Sequence, residues 1–243
     1  MADASPGRSG DEPARRAARI RRIHRVSIGA AVVVLALTGA SMIMRPMPCG
    51  DLPSTYPPII AFELARSGAD LAAIFGPVSE PCHRHMVATM DTANVLDVAL
   101  FIPAYGLFLV TAFLGLRLRD RPLARAGLAL AAVAIVADVA ENVCLFALTP
   151  LLDPRSAALG ALPWATGAKW LALGGAGLAA GVALWPGPRR HHQVSAALCM
   201  ITPLAAVAAI AAPHRFGPLV GTGVAVSWLV LLVDGVAQAR AAR

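Results

Sequence analysis

Six stretches of the chain are apolar for long enough to cross a bilayer core, which takes roughly 20 helical residues at ~1.5 Å each. They fall at about 26–44, 92–116, 127–149, 159–185, 196–213 and 217–236. The segments between them are short and polar, except for a long one at about residues 45–91. The first stretch, VSIGAAVVVLALTGASMIM, is too long for the apolar part of a signal peptide and has no clear A-x-A site after it, so it reads as a retained helix. The pattern predicts an all-α fold: a six-helix transmembrane bundle at residues 26–236.

Composition agrees with this reading. The 243 residues are 57% hydrophobic and 14% charged, against about 25% charged in a water-soluble domain. Such a chain lacks the polar surface to cover itself in water. Its hydrophobicity also excludes a disordered protein, and four cysteines exclude a disulfide-rich secreted module.

The formal net charge of +7 raises nucleic-acid binding, and the location of the arginines decides against it. Residues 1–25 hold seven (Arg8, Arg15, Arg16, Arg19, Arg21, Arg22, Arg25), and the loop after the second span holds Arg117, Arg119, Arg121 and Arg125. Arg189 and Arg190 follow the fourth span, and Arg240 and Arg243 the sixth. The opposite loops hold only Arg45, Arg66, Arg84, Arg155 and Arg215. Basic residues favour the cytoplasmic side, so both termini are predicted to be cytoplasmic. Residues 1–25 read as a disordered basic N-terminus in contact with anionic lipid, and 237–243 as a short cytoplasmic tail. Twenty arginines against one lysine point to a GC-rich genome, and with the topology to a bacterial inner membrane. Trp164 and Trp185, about 30 Å apart along a helix, suit interfacial positions at the two ends of the fourth span.

The long loop lies on the extracytoplasmic side in this topology. Cys49 and Cys82, near its ends, are disulfide candidates that would close about 34 residues; two free thiols are the other reading. Cys144 and Cys199 fall within spans, as packing residues. After Pro57-Pro58, the stretch IIAFELARSGADLAAIFG reads as one amphipathic helix of about 16 residues, lying on the membrane or capping the bundle. Glu63, Arg66 and Asp70 recur on one face of it, either as a water-facing charge trio or with Glu63 turned down into the bundle. Cys82-His83-Arg84-His85 has an H-x-H spacing without further ligands, so no metal site is assigned.

Four charged residues interrupt the second, third and fourth spans: Asp97, Asp138, Glu141 and Lys169. Each costs about 2.5–3.5 kcal/mol near a helix centre, so they must face one another or water. Asp97, Phe101 and Tyr105 share one helix face, and Asp138, Glu141 and Asn142 another. Three carboxylates and one ammonium leave two negative charges over. Lys169 pairs with Glu141 or Asp138, and a remaining acid holds a proton or attracts a cation. The rival reading is structural glue between helices. Asp234, near the end of the sixth span, reads as reaching the interface.

F-E-L-A at 62–65, L-D-V-A-L-F-I-P-A-Y-G at 96–106, D-V-A-E-N at 138–142 and K-W at 169–170 together resemble a set found in uncharacterised polytopic bacterial membrane proteins with an intramembrane D-x-x-E-N motif. The resemblance covers roughly residues 60–170 and implies a membrane fold without an activity.

Two functions follow. In the first, the chain binds or translocates a small molecule, lipid or cation at Glu63, Asp97, Tyr105, Asp138, Glu141, Asn142 and Lys169. In the second, it is a membrane-embedded enzyme using acid/base carboxylates on an isoprenoid or other lipid, or an accessory subunit of a membrane complex. No nucleophile motif, H-E-x-x-H, phosphate-binding Gly loop or C-x-x-C supports a specific reaction or cofactor, and no inverted repeat supports a carrier.

Overall fold

The structure is a computed structural model that describes residues 11–43, 47–53, 55–117, 120–186 and 190–241. Residues 1–10 and 242–243, and with them Arg8, Arg45, Arg119, Arg189 and Arg243, lie outside the described residues. The described residues form helices α1 (Asp11–Ile43), α2 (Pro58–Glu63), α3 (Gly68–Phe75), α4 (Pro81–Leu96), α5 (Ile102–Leu116), α6 (Arg121–Leu148), α7 (Ala157–Leu184), α8 (Arg190–Cys199), α9 (Ile201–Ala211) and α10 (Pro213–Ala241), with a π-helical turn at Asp97–Phe101. None of them is in a β-strand.

Six segments are long and apolar enough to cross a membrane: Ala17–Ala40, Pro81–Leu116, Arg121–Leu148, Ala157–Leu184, His192–Ala211 and Pro213–Arg240. The first of them starts earlier than the hydropathy pattern places it. Residues 11–25, expected to be disordered, are helical from Asp11 onward. Pro is tolerated in a first turn, and the Ala/Arg run of the sequence has high helix propensity. The second span likewise begins at Pro81 rather than near residue 92, because Pro81 occupies the first turn of a continuous α4.

Proline explains two irregularities. Pro103 has no N–H for the carbonyl four residues back, and there the backbone widens into the π turn, with the Ile102 N–H donating to the Asp97 carbonyl. Pro203 cannot serve the Cys199 carbonyl, which falls at the break between α8 and α9. The Ser227 hydroxyl on α10 donates to that carbonyl instead, at 3.4 Å, and Thr202 donates to the Gly223 carbonyl at 2.7 Å. A freed backbone acceptor is thereby satisfied by a neighbouring helix, as a membrane interior requires. Gly181 lets α7 reach this break: a Cβ there would lie 2.9 Å from the Ala196 carbonyl oxygen.

The long loop at residues 45–91 differs from the single helix expected of it. It forms two short helices, α2 and α3, separated at Leu64–Ser67. Ser67 and Asp70 make a reciprocal capping box that starts α3, and Asp70 also accepts from the Arg66 N–H at 2.9 Å. Gly76, at φ +64°, ends α3 in a left-handed conformation that brings the chain against Cys49. Cys49 and Cys82 are joined, with Cα atoms 5.6 Å apart, a separation normal for a disulfide. Phe62, Leu71, Ile74 and Phe75 bury against Met86 and Met90 of α4, Leu145 and Leu148 of α6, and Leu159 and Leu162 of α7. The loop is thus a packed cap on one end of the bundle.

Below the cap, α6 and α7 form the most extensive helix pair, and α1 packs against α5 and α10. Residues from the start of α1 and the end of α10 line one cavity, so these two ends lie on the same side of the bundle.

Candidate functional site

The centre of the site is Lys169, 4% exposed on the inner face of α7. Its Nζ lies 3.4 Å from Asp138 Oδ1 and in closer contact with Glu141 Oε1, both one turn apart on α6. It also lies 2.9 Å from Glu63 Oε2, an acid outside the spans. Glu63 is the last residue of α2, and the break after it turns its side chain into the bundle while Arg66 donates to the Ile210 carbonyl. Of the two readings of this stretch, the water-facing charge trio is corrected and Glu63 turned into the bundle is the one the geometry matches: Glu63, Arg66 and Asp70 go to three different partners, because the helix that would align them is interrupted.

Asp97 joins from the π turn. Asn142 Nδ2 donates to Asp97 Oδ2 at 2.7 Å and to the Asp138 carbonyl at 3.1 Å, and the Tyr105 hydroxyl donates to Asp138 Oδ2 at 2.8 Å. All seven residues expected at the site are thus connected, directly or through one partner. The carboxylates number four, one more than the spans alone supply. With every acid ionised and Lys169 charged, the cluster would carry three uncompensated negative charges in a membrane interior.

Several buried polar atoms in and around it have no hydrogen-bond partner among the described residues: Glu141 Oε2, Asn142 Oδ1 and both amide atoms of Asn94. Trp170 offers its ring 4.5 Å from Lys169 Nζ, a cation–π contact. Tyr105 stacks on Trp228 with ring centroids 5.6 Å apart. Phe101 and Phe108 complete an aromatic layer with them.

Toward the cap, burial raises the Glu63 carboxyl above its ordinary range, against the opposing pull of Lys169 and with the help of Asp138. Tyr56 donates its hydroxyl to the Pro213 carbonyl at 2.8 Å. Burial first, and then the negative charge of Glu63 and Asp70, push this phenol up to about 12.

Three participants escape a reading of charges alone. Thr166 donates to the Glu63 carbonyl at 2.8 Å and so fixes the end of α2. It stands one turn from Lys169, with Trp170 beside it, so a helical wheel of α7 would have found both. Asn94, 1% exposed, precedes Asp97 by one turn. The two histidines part company: His83 is buried with Nδ1 3.0 Å from the Phe75 carbonyl oxygen, whereas His85 is exposed. Asp234 accepts from Gln238 at 2.5 Å on its own helix. Comparison of the chain with protein-family models, curated proteins and solved structures finds no match.

Proposed function

We propose that this multi-pass membrane protein binds a small cation at the cluster of Glu63, Asp97, Asp138, Glu141 and Lys169, and that the cation is the proton. The observation that carries the reading is one buried ammonium in contact with three carboxylates, with a fourth held one amide away. Lys169 already occupies the centre, where a metal cation would sit and be repelled. A proton instead adds to a carboxylate and removes charge where it lands. Glu63 hangs from the cap, so exchange with the outer aqueous side runs through it. The topology that goes with this has both termini in the cytoplasm of a bacterium and the cap outside its inner membrane, supported by Arg117, Arg121, Arg125, the arginines of α1 and Arg240.

A hydrophobic carbodiimide tests this, because it adds to carboxyl groups only in their protonated form. Treated in liposomes across a pH series, the protein should be modified at one or more of Glu63, Asp97, Asp138 and Glu141, with a rate that falls as pH rises. Absence of modification at every pH would overturn the proposal.

One observation favours the lipid-enzyme reading as second choice. A cleft of about 680 Å³ opens on the outer surface of the α6–α7 pair, lined by Ala137, Ala140, Cys144, Trp164, Ala165 and Ala168, on the helices that carry Glu141 and Lys169. An isoprenoid retained there through mild purification would move the assignment from ion binding to lipid chemistry.

A further inference from the structure

A second cavity, at the opposite end of the bundle from the cap, has a lining that changes character with depth. It measures about 290 Å³ and lies between α1 and α10, lined by Arg21, Arg25, Ile28, Val236, Ala239 and Arg240. On α1, Arg21, Arg25 and Ile28 stand at i, i+4 and i+7, a single stripe about 10 Å long. On α10, Val236, Ala239 and Arg240 stand at i, i+3 and i+4. The two helices enter and leave the bundle at this end, so both stripes run in the same sense along the chain: the arginines nearer the helix ends, Ile28 and Val236 further into the bundle.

We infer that this cleft is a binding site for one anionic phospholipid of the adjoining leaflet, with the phosphate among Arg21, Arg25 and Arg240 and the start of an acyl chain against Ile28, Val236 and Ala239. Charge complementarity selects the headgroup, since clustered basic side chains at a membrane surface favour a lipid with net negative charge over a zwitterionic one. The apolar floor selects a lipid over a free phosphate ion. Basic pockets between helices at a cytoplasmic face are recognised sites for such headgroups. The helical state of residues 11–25 is what makes the site, because a disordered N-terminus would not hold Arg21 and Arg25 one turn apart against α10.

Native mass spectrometry of the detergent-purified full chain, titrated with phosphatidylglycerol or phosphatidylcholine, tests the inference. Phosphatidylglycerol should be retained selectively as a single adduct, and a large molar excess of inorganic phosphate should not displace it. Replacing Arg21, Arg25 and Arg240 together by Gln should weaken that binding about 100-fold, and Arg25→Gln alone about fivefold. Ile28→Trp, which fills the floor and keeps every arginine, should also weaken it. Arg21→Lys, Arg25→Lys and Arg240→Lys together should retain selectivity for phosphatidylglycerol, which shows that the charge and not a folding defect is responsible. Equal retention of the two lipids, displacement by phosphate, or unchanged binding in both Arg25→Gln and Ile28→Trp would overturn the inference.

Discussion

Lys169 holds opposite charges from two sources, the acids of α6 and the Glu63 carboxylate lowered from the cap. Removing it leaves buried carboxylates facing each other, so Lys169→Met should cost about 3–5 kcal/mol of stability. The loss should be smaller in acid, where protons replace the ammonium, and Glu141→Gln in the same chain should recover part of it. Thermal unfolding in detergent measures all three effects; a loss that no neutralising partner relieves would contradict the pairing. Glu63 supplies its own pH signature. Its carboxyl is raised, so the folded protein binds more protons than the unfolded chain above the ordinary glutamate value of about 4.3. Its contribution to stability is therefore complete below about 4.3 and is lost as pH rises through the folded value. Glu63→Gln should flatten that decline, and a slope identical to that of the parent would show that Glu63 does not titrate there. Asp138, Glu141 and Lys169 were legible in the sequence as charges inside apolar stretches. For Glu63 the sequence left two destinations open, a charge trio with Arg66 and Asp70 or the bundle interior, because helical spacing alone placed it in register with both.

At the scale of elements, the interruption at Leu64–Ser67 decides where Glu63 points. The Ser67-x-x-Asp70 capping box that starts α3 was present in the sequence as a helix start. The apolar run across it reads as a continuous helix only when hydrophobicity is weighed without that cap. The cap as a whole is tied down by Cys49–Cys82, whose closed loop is worth about 3–4 kcal/mol in the chain-entropy model. Cys82→Ser should lower the unfolding midpoint accordingly, and reductant should shift the parent but not the variant on a gel; equal mobility and equal midpoints would exclude the bridge. The π turn and the α8–α9 break depend on Pro103 and Pro203, whose positions are visible in the chain. Which neighbour takes up a freed carbonyl depends on helix order, and no single sequence encodes the choice of Ser227 in readable form. Ser227→Ala should cost about 1–3 kcal/mol by leaving the Cys199 carbonyl and the Thr202 hydroxyl less satisfied, measurable in the same unfolding assay.

For the whole molecule, six apolar segments and a packed cap place the acid cluster between the cap on one side and the aromatic layer of Phe101, Tyr105, Phe108 and Trp228 on the other. Arginine distribution predicts the orientation, so single cysteines near residues 120 and 190 should label from the cytoplasm and those near 70 and 153 from outside. The reverse pattern would invert the bundle and put Glu63 on the cytoplasmic side. The central claim is that the cluster exchanges protons and does more than fasten helices together. The most direct measurement is infrared absorption of the protein in bilayers, followed at the carbonyl stretch of protonated carboxyl groups as pH is raised. The claim predicts a protonated-carboxyl band that bleaches reversibly with rising pH and is reduced in Glu63→Gln, which removes the acid through which the cluster exchanges. A spectrum with no such band at any pH, or one that Glu63→Gln leaves intact, would contradict it.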